Sequence, residues 1–344
     1  VTDRTVIHTT SITTTGEQNY NDDVVLTANA LLVGSALTFD KTVMSDGTTH
    51  NLTVNGTGGN VTFNSSVGSL ALPVGIFTVN ATGGTYFNDL ITVGHLETGS
   101  TGTTYLNSTT ATTTSSSSML FGNDVVISGP SFTFDSTGGG LTTGANITFN
   151  QTLSSATAGS TDVTITAGTA GIVKFLAAVG KDASSAVLPL NSLTVTAGGG
   201  IVISGGFIQT VGAQNYNDDV LLDGHTILNT TDADVRFYGK LNNNTATASN
   251  LSVNAGTGAV TFSGAVGDSA NHAIGALAVN SAAATTFTNT VDAASLTTNS
   301  GGTVVIHGGR ITTSGAQNYN DDVVLTADAL LVGSALTFDQ TVKG

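Results

Sequence analysis

Gln18-Asn19-Tyr20-Asn21-Asp22-Asp23-Val24-Val25-Leu26 is the stretch whose reading decides the fold. It returns as Gln214-Asn215-Tyr216-Asn217-Asp218-Asp219-Val220-Leu221-Leu222 and as Gln317-Asn318-Tyr319-Asn320-Asp321-Asp322-Val323-Val324-Leu325. A degenerate copy, Phe121-Gly122-Asn123-Asp124-Val125-Val126-Ile127, lies between the first two. The aromatic anchors thus stand at 20, 121, 216 and 319, at nearly even intervals. Self-similarity at a fixed period marks a repeat architecture, in which each unit buries its apolar face against its neighbours.

Aligning the anchors divides the chain into units 11–111, 112–206, 207–309 and a partial 310–344. These are expected to form a single continuous solenoid over 1–344. Ser11–Val43 and Arg310–Val342 align without a gap and differ at only five places (11/310, 15/314, 17/316, 29/328 and 41/340). That near-identity points to duplication of a three-unit block. Because the chain starts and stops inside repeats, it reads as a piece of something longer.

Within each unit, apolar-polar-apolar triplets recur: Leu37-Thr38-Phe39, Leu52-Thr53-Val54, Val61-Thr62-Phe63, Thr85-Tyr86-Phe87, Leu251-Ser252-Val253 and Val260-Thr261-Phe262. Period two predicts strands with one buried face, and Thr between apolar neighbours faces outward. Strands of about three to five residues are too short to stand alone and must stack. Equivalent triplets give the coil length, through the steps from Phe39 to Phe63, Phe63 to Phe87, Phe262 to Phe287, Phe287 to Ile306 and Ile306 to Leu325. Coils of about 19 to 25 residues predict an all-β fold, a parallel β-helix (β-solenoid) of about fifteen rungs, about 70 Å long at roughly 4.8 Å per rung. The step from anchor to following triplet runs from Tyr20 to Leu37, Phe121 to Phe132, Tyr216 to Val235 and Tyr319 to Leu336. These unequal steps predict loops of varying length. Thr109 to Ser118 reads as a loop or a degenerate rung. Gly58-Gly59, Gly83-Gly84, Gly138-Gly139-Gly140, Gly198-Gly199-Gly200 and Gly301-Gly302 are expected to supply positive φ at corners. The inward residues are predicted to be Val24, Val125, Val220 and Val323, with Leu26, Ile127, Leu222 and Leu325.

Composition bounds the function. Charged residues make up 9% of the chain, with 23 acids against 8 scattered bases and a net charge of −15. A phosphate-backbone binder needs clustered Lys and Arg, so nucleic acid is excluded as a partner. No run of about 18 apolar residues exists, which argues against membrane insertion by a helix. Cysteine is absent. A long solenoid does not need disulfides, because each coil adds buried area.

The repeats, read as Gly-Ala-Gln-Asn-Tyr-Asn-Asp-Asp-Val-Val-Leu-Thr-Ala-Asp-Ala (315–329) followed by Leu-Thr-Phe-Asp-Gln-Thr-Val (336–342), resemble those of giant bacterial exoproteins, the filamentous-haemagglutinin-like adhesins of two-partner secretion. The blocks 251–266 and 296–311 read the same way. The resemblance implies a right-handed coil, export to the cell exterior and a role as stalk, adhesin or matrix fibre. End-to-end self-association into fibres and host or matrix glycans are the partners it implies. No family-wide functional residues carry over.

No catalytic, cofactor-binding or metal residues are assigned. The pairs Asp22-Asp23, Asp218-Asp219 and Asp321-Asp322 could ligate calcium, but neighbours in a strand point to opposite faces, so turn capping is the preferred reading. Asp232, Asp234, Arg236, Tyr238 and Lys240 form the one polar cluster unique to a single unit, which is where an enzyme site would be sought. The preferred reading there is a decorated strand. His8 and His307 are repeat mates, hence structural; His50, His95, His225 and His272 share no spacing. Asn-x-Ser/Thr triplets at Asn51, Asn60, Asn64, Asn80 and Asn107 reflect composition rather than glycosylation. Ice binding needs flat ranks of Thr-x-Thr, which are missing. The favoured reading is a non-enzymatic extracellular structural repeat. The alternatives are a polysaccharide-active β-helix enzyme, a lyase or hydrolase, and a glycan-binding module.

Overall fold

The triplets form strands because alternate side chains find an apolar interior on one side and water on the other. In the computed structural model Leu37, Phe39, Val61 and Phe63 are fully buried, while Thr38 and Thr62 stay half-exposed. The structure describes residues 3–114, 117–140, 142–268 and 272–344. Among these, the chain is all-β without a helix, and its named strands pair in parallel. They stack as a β-solenoid of about 16 turns. Contacts divide the chain into two compact units: 1–173 with 181–188, and 174–180 with 189–344.

In the first unit successive turns contribute strands, or at Val67 a single bridge residue, to three ranks. One rank runs through Gln18–Tyr20, Leu37–Phe39, Val61–Phe63, Gly84–Phe87, Thr103–Leu106, Asp124–Ile127 and Leu153–Ser155. A second runs through Ser11–Thr13, Ala30–Gly34, Leu52–Gly56, Val74–Ala81, Ile91–Thr98, Met119–Phe121 and Ile147–Phe149. The third starts at Arg4–Ile7 and Asp23–Leu26 and continues to Asp162–Thr166. The second unit has the same three-rank plan, with Gln214–Tyr216 and Ala316–Tyr319 on different ranks.

The coil lengths read from sequence are the actual registers. Phe39 pairs with Phe63, Phe63 with Phe87, Phe262 with Phe287, Phe287 with Ile306, and Ile306 with Leu325. Each of the anchors Tyr20 and Tyr216 heads a column of rings. Tyr20, Phe39, Phe63 and Phe87 stack at centroid distances of 4.9, 4.7 and 5.2 Å. Tyr216, Phe237, Phe262 and Phe287 repeat the column at 5.1, 5.1 and 5.2 Å. The spacing is that of neighbouring strands, so offset ring stacking and backbone pairing reinforce one another. The predicted inward residues are buried, except that Leu325 is only half-buried.

Three expectations change. The step from Phe121 to Phe132 does not join equivalent strands: Phe121 pairs with Phe149, well beyond Phe132, and Ser131–Asp135 belongs to another rank. Several strands are longer than the triplets suggest. Ile91–Thr98, with 8 residues, turns a corner unbroken, so that Ile91–Val93 pair with Ala111–Thr113 while Leu96–Thr98 pair with Met119–Phe121. Of the corner glycines, 138–140, 200 and 301 do hold positive φ, but 58, 59, 83, 84, 198, 199 and 302 do not. Gly83 and Gly84 serve close approach instead: a Cβ there would lie 2.5 Å from Asn60 Oδ1 and 2.6 Å from the Tyr86 ring. The Thr-rich segment is a degenerate rung, since Thr110–Thr113 pairs on both sides; residues 115–116 within it lie outside the described residues.

Candidate functional site

Turn chemistry accounts for the repeated acids. Asp23 Oδ1 accepts hydrogen bonds from Thr42 N and Thr42 Oγ1, one turn on, at 3.2 and 2.6 Å. Asp124 does the same for Thr152, and Asp322 for Thr341. Asp219 accepts from Lys240 N at 2.8 Å. The preceding acid points elsewhere: Asp22 is exposed, whereas Asp321 is buried and accepts from Gly302 N at 2.7 Å. Among the described residues no three His, Cys, Asp or Glu side chains gather as a metal cluster.

The cluster at 232–240 is a decorated strand. Val235 and Phe237 are buried and Arg236 lies between them, paired with Asp234. Asp232 and Asp234 accept from Thr257 N and Ala259 N on the next turn, and Lys240 pairs with Asp268 at 2.7 Å. Arg236 and Asp234 engage each other, whereas Lys240 turns to Asp268. His8 and His307 make the same contact, to Thr27 Oγ1 and Thr326 Oγ1 at 2.5 and 2.8 Å, as repeat mates should. The sequon asparagines are also engaged across turns. Asn88 Nδ2 donates to Asn64 Oδ1 at 2.9 Å and Asn107 Nδ2 to Asn88 Oδ1 at 2.7 Å. Asn80 donates to Asn55, while Asn51 and Asn60 accept from Ile76 N and Gly84 N.

The outer surface of the first unit does hold a groove that sequence reasoning missed. Residues 181–188 fold back on that unit as a small antiparallel loop, bridged between Lys181 and Val187. Asp182 organises it: Oδ1 accepts from Ser184 N, Ser184 Oγ and Ala186 N at 2.9, 2.7 and 2.9 Å. These bonds, the Ser184 hydroxyl first among them, hold its carboxyl below the usual carboxylate range. Between this loop and the strands lies a groove of about 390 Å³, lined by Tyr105, Asp124, Val126, Ala156, Asp182 and Leu188 among others. Tyr105 stacks on Tyr86, centroids 4.6 Å apart and planes 6° apart. The two rings stand one turn apart on a column that continues to the half-buried Val126 and then to Ser154, which is buried. One face of Tyr105 is thus covered by Tyr86, Val126 is its neighbour on the other side, and Tyr105 and Val126 both line the groove. Tyr86 and Tyr105, each central in a triplet, were the available signal; the loop itself left none.

Compared with protein-family profiles, curated proteins and solved structures, the chain has no significant match to any.

Proposed function

We propose that the chain is a non-enzymatic structural segment of an extracellular bacterial surface adhesin or fibre, serving as a stiff stalk. The observation that carries this reading is the use to which the polar residues are put. Repeated Asp, Asn and Thr side chains tie one turn to the next on the outside, while ring columns run through the inside. Such a design resists bending and stays wetted without a site repeated from unit to unit. The resemblance of the repeats to filamentous-haemagglutinin-like adhesins supports the location. Antibodies raised against the chain should label intact producing cells. Labelling seen only after permeabilisation overturns the reading.

End-to-end self-association belongs to the same proposal. A strand edge left unpaired at the end of a solenoid is a template for another. A strict monomer by size-exclusion chromatography at high concentration speaks against it.

A further inference from the structure

We infer that the groove beside Tyr105 is a binding site for a neutral, hexopyranose-based glycan. The inference deepens the adhesin reading by naming the class of ligand, and it stands on three features of the first unit.

An aromatic ring with one free face suits the C–H face of a pyranose, which is apolar enough to stack yet rimmed with hydroxyls. Tyr105 stands half-exposed on the groove and is backed on one side by Tyr86. Gly84 makes room for the pair: a Cβ there would lie 2.6 Å from the Tyr86 ring and 3.0 Å from the Tyr105 ring. A ring held in place before binding loses little conformational freedom on stacking.

The rim supplies acceptors. In both Asp124 and Asp182 the hydrogen bonds from protein groups fall on Oδ1. Oδ2 of each remains to accept from a sugar hydroxyl in a charge-assisted bond. Val126, Ala156 and Leu188 add apolar surface between them. Few placed polar groups around an apolar lining is the composition of a small-molecule pocket.

The charge selects among glycans. With Asp182 held ionised and a net charge of −15 on the chain, a uronate or sulfate in the groove meets repulsion. The loop at 181–188 is not repeated in the sequence, so the groove belongs to one place in the chain and not to every unit.

The test uses the purified full chain in isothermal titration and saturation-transfer NMR. The probes are neutral hexasaccharides of glucose, mannose and galactose, with a heparin hexasaccharide as the anionic counterpart. At least one neutral probe should bind, with saturation transferred to one face of a sugar ring. Tyr105→Ala should weaken that binding about tenfold or more, Tyr105→Phe should preserve it, and Tyr238→Ala, at an exposed tyrosine of the second unit, should leave it unchanged. Asp182→Asn should weaken neutral binding and relieve exclusion of the heparin probe. Far-UV circular dichroism of each variant separates loss of binding from loss of fold, and Tyr105→Leu replaces Tyr105→Ala if the latter unfolds. The inference is overturned if no neutral probe binds at about 10 mM, if folded Tyr105→Ala or Tyr105→Leu binds like the parent, or if the heparin probe binds best. Its failure leaves the cell-labelling result untouched.

Discussion

The phenol of Tyr216 donates to Gln214 Oε1 at 2.9 Å, with both side chains wholly buried. Gln214 Nε2 in turn donates to Asn229 O on the next turn at 2.8 Å and to Thr210 Oγ1 at 3.2 Å. Gln18 with Tyr20, and Gln317 with Tyr319, repeat the arrangement. A buried polar pair is tolerable only when every group has a partner. In the degenerate copy the register places Met119 and Phe121 where Gln and Tyr stand elsewhere. Both polar partners have gone together, as the cost of orphaning one demands.

The first expectation follows from that pair. Tyr216→Phe leaves Gln214 Oε1 without its donor and should cost about 1–3 kcal/mol. Gln214→Met alone should cost a similar amount by orphaning the phenol. The double variant, which copies Met119 and Phe121, should recover much of the loss. Denaturant unfolding arranged as a double-mutant cycle measures this; strictly additive losses would deny the coupling.

The inside and outside of the coil can be tested with one charge. Val323 is fully buried, while Thr261 sits half-exposed beside Arg236 of the preceding turn. Val323→Asp should cost about 3 kcal/mol or more and drop the melting temperature by many degrees, whereas Thr261→Asp should stay within about 0.5 kcal/mol. Equal shifts in thermal melts would mean the faces are misassigned.

Asp321 carries a pH dependence. Burial raises its carboxyl pKa above the ordinary value, and its Oδ2 has no partner in the structure. A group raised on folding adds stability when protonated. The contribution is therefore complete below the ordinary carboxylate range and lost as pH rises through the higher folded value. Asn123, in the same place of the degenerate copy, accepts from Thr98 Oγ1 and Thr104 Oγ1 and donates to Thr101 O, so an amide satisfies this position. Asp321→Asn should raise the melting temperature at about pH 7 and make no gain at about pH 3. Melting curves across that range decide it; an unchanged difference between the two pH values would remove Asp321 from the account.

Gly102 is a tight corner. It holds φ +70°, and a Cβ would lie 1.8 Å from Gly83 O. Gly102→Ala should cost about 2–4 kcal/mol, from left-handed strain and a forced backbone shift. Gly16, with open space around it, should accept Ala without loss. Paired melts of the two variants give the comparison.

The architecture was legible because its signal is redundant. A phenylalanine that returns one coil later states the register of two strands outright. Phe39 with Phe63, and Phe287 with Ile306, pair as that count requires. Where a unit loses its landmark the reading slips. Phe132 falls on another rank because the insertion after Phe134 is invisible to pattern alone. Nothing local to Gln18 reveals that a carbonyl of the next turn awaits it inside. The groove was hidden for a different reason. Asp124 and Asp182 lie far apart along the chain, and only the fold-back of a non-repeated loop brings them to one place.

The motif does not return to the side of the coil it left. From Gln18–Tyr20 the chain climbs its rank through Leu37–Phe39, Val61–Phe63, Gly84–Phe87 and Thr103–Leu106, then two strands further to Met119–Phe121. In the second unit the path from Gln214–Tyr216 to Ala316–Tyr319 likewise takes four pairings and two more strands. The glutamine and tyrosine lock together equally well in either setting, so the sides are interchangeable hosts. A gene could therefore lengthen or shorten this protein by single copies, each setting its outward residues on a different rank from the copy before it.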